Sequence, residues 1–323
     1  MMTPRENVLE VINGGNPEYV PLQTDCNPFL VSASGAIEEP WEGGVDAFGV
    51  NWLVTKEGAM PEPNNFRFDD VSEWRKHVQI PDVNSFDFNA MAEMDLATID
   101  RSRQLVNVLY SCGLFERLVS FMGFENTLCA LITDPDSCKD FFNEMSTFKA
   151  KVIDKIIDAY KPDVITYSDD MAHAKGLFMS PETYREVIKP YHRRIADAIT
   201  SRGVIFSQHI CGKCEDLLED FVGMGCRIWN SAQIMNDLAG IQKKYKGILT
   251  IEGGWDSSGP AAFVDASMDT IISEANRCID EYGVNKGFIC WPVVMNEKGN
   301  GAMIGDERLD KLISLWSQIS KIY

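Results

Sequence analysis

The residues in this chain best suited to chemistry stand in Ser207-Gln208-His209-Ile210-Cys211-Gly212, directly after the apolar run Gly203-Val204-Ile205-Phe206. Imidazole and thiolate are both good ligands for a borderline-soft metal such as zinc. Residues two apart on a strand share a face, so His209 and Cys211 can converge on one ion if extended geometry persists to the end of the run. Two ligands do not make a site. The competing account is a buried cysteine beside a hydrogen-bonded histidine, since free cysteine is often simply core.

Such a pair needs elements that hold it, and the chain supplies a rhythm of short β-rich runs separated by helix-length segments. That pattern indicates repeated βα units and a parallel sheet. The runs 105–110, 164–167, 204–209, 227–230, 248–252 and 288–291 read as strands, with Val20-Pro21-Leu22-Gln23 as a first one. Thr3, Pro4 and Glu6 form a helix start, with a capping hydroxyl, proline at the first helical position and a glutamate in the first turn. Ser180-Pro181-Glu182 opens another in the same way. The expected architecture is a (β/α)8 TIM barrel forming a single domain over residues 1–323. Residues 25–88, rich in Gly, Pro, Asn and Trp, form an irregular elaboration over the barrel mouth. Strand ends on one rim would then gather Asp169, Asp170, His209, Cys211, Asn230, Glu252, Trp255 and the Cys290-Trp291-Pro292 group.

Composition excludes several classes. Of 323 residues, 45% are hydrophobic and 24% charged, which is ordinary for a globular protein. The net charge of −18 argues against a surface for nucleic acid or anionic membranes. Nine cysteines, an odd number, with no apolar leader at the N-terminus point to reduced thiols and a cytoplasmic protein.

Several segments, in order, resemble the uroporphyrinogen-decarboxylase superfamily, and within it the corrinoid- and zinc-dependent methyltransferases. They are Thr3-Pro4-Arg5-Glu6-Asn7-Val8-Leu9, Asp46-Ala47-Phe48-Gly49-Val50-Asn51-Trp52, Ser168-Asp169-Asp170, Met179-Ser180-Pro181-Glu182, His209-Ile210-Cys211-Gly212 and Glu252-Gly253-Gly254-Trp255-Asp256. The decarboxylases themselves carry an arginine-rich segment after the first strand. Here it reads Gln23-Thr24-Asp25-Cys26-Asn27-Pro28-Phe29, without arginine, which disfavours a polycarboxylated substrate.

The methyltransferase resemblance implies zinc on His209 and Cys211 and a third cysteine near the last strand. Cys290 is the candidate, although the family's usual P-G-C, aligned through Pro292, places its cysteine at Val294. Glu252, the Asp169-Asp170 pair and Cys214 are the other groups that could close the shell. Asp169, Asp170 and Glu252 are candidate acid/base or orienting groups, and Phe29, Trp52, Phe178, Trp255 and Trp291 are candidate walls for a planar substrate. Core or lid packing is the alternative for each aromatic, and solvated loop positions for the aspartates.

The segment 57–63 looks like members assigned to methoxylated aromatics. The expectation is therefore methyl transfer from an aryl methyl ether to the cobalt of a separate corrinoid protein. A methylcorrinoid:thiol (or folate) methyltransferase, a metal-free decarboxylase and a non-catalytic barrel are the alternatives. The oligomeric state is left open, a homodimer being one of the states considered.

Overall fold

The computed structural model describes residues 2–55, 58–296 and 306–321. Its main sheet has seven parallel strands in sequential order: β1 (Phe29–Leu30), β2 (Asn107–Tyr110), β3 (Val164–Ser168), β4 (Ile205–His209), β5 (Cys226–Ala232), β6 (Thr250–Gly253) and β7 (Phe288–Cys290). Helices separate successive strands from β2 onward, as a right-handed βα progression requires.

The sheet curls towards a barrel without closing by continuous pairing. The run expected as a first strand, 20–23, makes one isolated parallel bridge, Leu22 to Cys290. A short helix, Gln23–Cys26, follows at once, and β1 then pairs with β2. Pro21 offers its carbonyl to Cys290 but has no N–H for a ladder bond, so pairing there cannot propagate in the ordinary way. The expected eight-stranded barrel is thus a seven-stranded, barrel-like sheet with a seam between Leu22 and Phe29.

Alternation decides what faces inward. Leu105, Val164, Ile228 and Ile289 pack in one buried cluster with Cys26 and with Val8, Val11 and Ile12 of α1 (Pro4–Ile12). Helix α1 therefore plugs the end of the curled sheet opposite the strands' carboxyl ends. Thr3 caps it through a complete capping box with Glu6. Two residues further along the strands, Asn107, Thr166 and Asn230 share that inward face.

The 25–88 segment is more ordered than its composition suggests. Strands Gly44–Val45, Asn51–Thr55 and Gly58–Pro61 form a small antiparallel sheet. Glu57, in the segment that resembles aryl-ether members, lies outside the described residues. A fully buried ion network ties this region to α2 (Leu114–Met122) and α3 (Pro135–Tyr160). Arg117 bonds Glu38 at 2.8 Å and Asp46 at 2.6 Å, and Lys149 reaches Glu38 at 2.7 Å. Burial raises the Glu38 pKa, but Lys149 and Arg117 outweigh it and hold the carboxyl below its ordinary value.

Candidate metal and methyl-transfer site

His209 ends β4 and Cys211 follows it, where the chain leaves the sheet. Their side chains stand together, with Cys211 Sγ 3.5 Å from His209 Nε2. Asp170, two residues beyond β3, accepts a 2.6 Å hydrogen bond from the Cys211 amide. Ligand atoms of Asp170, His209 and Cys211 all lie within 4.8 Å of one another, and all three residues are half-buried. Two tetrahedral zinc ligands, one nitrogen and one sulfur, should be about 3.5 Å apart, so this spacing fits.

The turn after Cys211 is built for close approach. Gly212 has φ +87°, and a Cβ there would lie 2.7 Å from the backbone nitrogen of His173. Only glycine meets both demands without strain. Its N–H donates to Gln233 and its carbonyl accepts from Asn236, which fixes the loop against the segment after β5.

The tautomer of His209 follows from its neighbours. Asn230 donates its amide to Glu252 Oε2 at 2.8 Å, which turns its Oδ1 towards His209 Nδ1. The Nδ1 position must then carry the proton, leaving the Nε2 lone pair free on the side of Cys211. Asn27 bonds the other oxygen of Glu252 at 2.7 Å. Burial raises the Glu252 pKa to about 7, against the hydrogen bonds from the two asparagines. Burial likewise pushes the Cys211 thiol up, helped by the Asp170 charge. A bound cation would reverse that preference by favouring the thiolate.

The remaining expected residues fall into three groups. Trp291 and Phe29 join the site: Trp291 lies 6.1 Å from the His209 ring and meets Phe29 edge-on at 5.7 Å. Phe178 stacks on His173 at 5.5 Å and meets Phe124 at 4.8 Å, on the hairpin beside Gly212.

Asp169, Trp52, Trp255 and Cys290 lie elsewhere. Asp169 is fully buried, accepts the Phe115 and Glu116 amides at 3.0 Å each and bonds His192 at 2.7 Å. It caps α2 so closely that a Cβ on Gly113 would lie 2.2 Å from the Asp169 side chain. His192 is buried on a helix. Trp52 donates to Asp46 at the edge of the buried ion network. Trp255 is buried in the apolar core.

Cys290 was the candidate third metal ligand. The inward cluster contains its neighbour Ile289, and the groups acting on the Cys290 thiol are Cys278, Glu274 and Arg277 of α5 (Met268–Tyr282), α4 being Lys189–Thr200. Parity thus sends Cys290 outward, to the helix layer, away from Cys211.

Two carboxylates near the site were not anticipated. Burial raises Glu39 to about 7, opposed by its hydrogen bond to Ser111 and by Arg117, with Asp170 and His209 close enough to act on it. Glu116 is also raised, by burial and by the charges of Asp170, Asp169 and Glu39. Neither belongs to a motif or a strand end, so nothing in the sequence marks them as site residues.

Comparison with known proteins agrees with this architecture. The structure matches a methyltransferase from Methanosarcina mazei with a TM-score of 0.67 over 98% of this chain and 99% of that one, at 13% identity. That is a likeness of fold. The uroporphyrinogen decarboxylase (URO-D) family model matches residues 111–292, more than half of the chain, and the chain belongs to this family. It is also similar to the methylated-thiol–coenzyme M methyltransferase of Methanosarcina mazei, 32% identical over 96 residues. That stretch is 30% of this chain and 24% of the relative.

Proposed function

We propose that this chain is a metal-dependent methyltransferase that moves a methyl group from a small donor to the cobalt of a corrinoid protein. The observation that carries the reading is the convergence of Asp170, His209 and Cys211 within 4.8 Å, with His209 Nε2 left free by the Asn230 bond. Zinc is the metal this donor set suits best. When bound there, it would supply a Lewis acid able to polarise a donor heteroatom.

The chain's own groups then have separate tasks. His209 and Cys211 hold the metal, with Asp170 as third ligand. Asn230, steadied by Glu252, orients the imidazole. Phe29 and Trp291 offer an apolar edge beside it, which supports a planar donor such as an aryl methyl ether. Glu39 and Glu116, raised by burial and within electrostatic reach of Asp170, would be the groups to hold a proton for the leaving oxygen. A methylated thiol is the second reading, favoured by the name of the relative matched over 96 residues.

One assay separates these readings. Zinc-loaded protein is mixed with cob(I)alamin and offered methoxyarenes or methyl thioethers, and methylcobalamin is followed by its absorbance. Formation from methoxyarenes supports the ether reading, and formation from thioethers alone transfers it to the thiol reading. No methylcobalamin from either, with zinc bound, would remove the activity.

A further inference from the structure

The interior layer of a barrel in this fold is ordinarily filled by bulky branched side chains. Here, between the apolar plug around α1 and the His209–Cys211 pair, it is polar. Asn27, Asn107, Thr166, Ser207, Asn230 and Glu252 are each fully buried. Asn107, Thr166, Ser207, Asn230 and Glu252 come from β2 to β6 in turn, and Asn27 comes from the seam before β1. Register partners confirm a common face: Thr166 lies beside Ser207, and Asn230 lies beside both His209 and Glu252.

Half of this ring is closed by side-chain hydrogen bonds. Thr166 donates to Asn107 at 2.9 Å, Asn230 to Glu252 at 2.8 Å and Asn27 to Glu252 at 2.7 Å. The other links, Asn27 to Asn107 and Ser207 to its two neighbours, have no direct bond. Three of the buried atoms without a protein partner fall at these gaps: Asn27 Oδ1, Asn107 Nδ2 and Ser207 Oγ. Buried polar atoms are nearly always paired, so each of the three calls for a partner.

Their chemistry selects that partner. Asn27 Oδ1 can only accept, Asn107 Nδ2 can only donate, and Ser207 Oγ can do both. A cation would be repelled by the Asn107 donor, and an anion by Asn27 Oδ1 and Glu252. Water both donates and accepts, and ordered water commonly satisfies such groups.

We propose that these six residues form a buried water site, in which ordered water closes the polar ring directly beneath the His209–Cys211 pair. The site secures Asn27, and with Asn230 it holds Glu252 from both sides. The inference concerns the resting protein and stands or falls apart from the methyl-transfer reading.

The test is a crystal structure of the full chain at a resolution that orders buried water, with oxygen-17 relaxation dispersion to count long-lived waters in solution. Water oxygens should lie about 2.7–3.2 Å from each of the three atoms. Ser207→Ala removes one water ligand and little volume, so it should lose the water at that position and lower the dispersion amplitude. Asn107→Leu, with Thr166→Val to remove its partner, should empty the adjacent position. Asn27 and Asn107 bonded directly to each other, with Ser207 bonded to backbone and no interior water, would overturn the proposal. So would a dispersion amplitude unchanged in folded Ser207→Ala protein.

Discussion

At the residue scale, the account rests on what His209 is allowed to do. Asn230 Oδ1 accepts a hydrogen bond from His209 Nδ1–H and Glu252 fixes Asn230, so the tautomer that leaves Nε2 free for a metal is set by groups that do not touch it. Asn230→Ala should therefore weaken zinc affinity by about 10–100-fold while keeping both ligands, as read by competition with a chromogenic chelator. Glu252 gives a pH dependence with a defined sign. Its folded pKa, about 7, lies above the ordinary carboxylate value, so the folded state holds a proton that the unfolded chain has lost. The stability it contributes is full at low pH and is lost as pH rises from about 4.5 to about 7, by at most roughly 3 kcal/mol. Urea unfolding of metal-free protein should show that slope, and Glu252→Gln should reduce it, leaving the part that Glu39 and Glu116 contribute. His209 and Cys211 were legible in the sequence because period-two spacing survives the end of β4. Cys290, the candidate third ligand, turns to the helix layer because Ile289 takes the inward position on β7, and the chain beyond it, 291–294, is irregular.

At the element scale, the parallel strands were readable because their apolar runs are short and bounded by turn residues. Six of the seven expected runs became strands of the main sheet, with ends shifted by one or two residues. The order inside 25–88 was hidden because it depends on long-range ion pairs rather than local periodicity. The partners of Glu38 and Asp46 are Arg117 and Lys149, far along the chain, so no local pattern marks the pairing. Lys149→Met should leave the Glu38 charge short of a partner and cost about 3–5 kcal/mol in urea unfolding. Adding Glu38→Gln should recover part of that loss. Because the Glu38 pKa is depressed, its contribution is present above the ordinary carboxylate range and is lost as pH falls through the folded value.

At the scale of the whole molecule, the seam is the feature with most consequence. The Leu22–Leu30 stretch carries one isolated bridge and a two-residue strand, whereas β3 to β5 pair on both sides. Amide exchange across 22–30 should be faster than in β3 and β4 by native-state hydrogen exchange. No helix among the described residues is long and apolar enough to cross a membrane. The net charge of −18 implies that a corrinoid-protein partner would dock best through a neutral or basic face.

The central claim is that Asp170, His209 and Cys211 hold one zinc ion, and X-ray absorption at the zinc edge of stoichiometrically loaded protein tests it most directly. The account predicts one sulfur at about 2.3 Å with nitrogen and oxygen at about 2.0–2.2 Å, and loss of the sulfur shell in Cys211→Ser. A zinc shell with no sulfur, or a sulfur shell that survives Cys211→Ser, would contradict it.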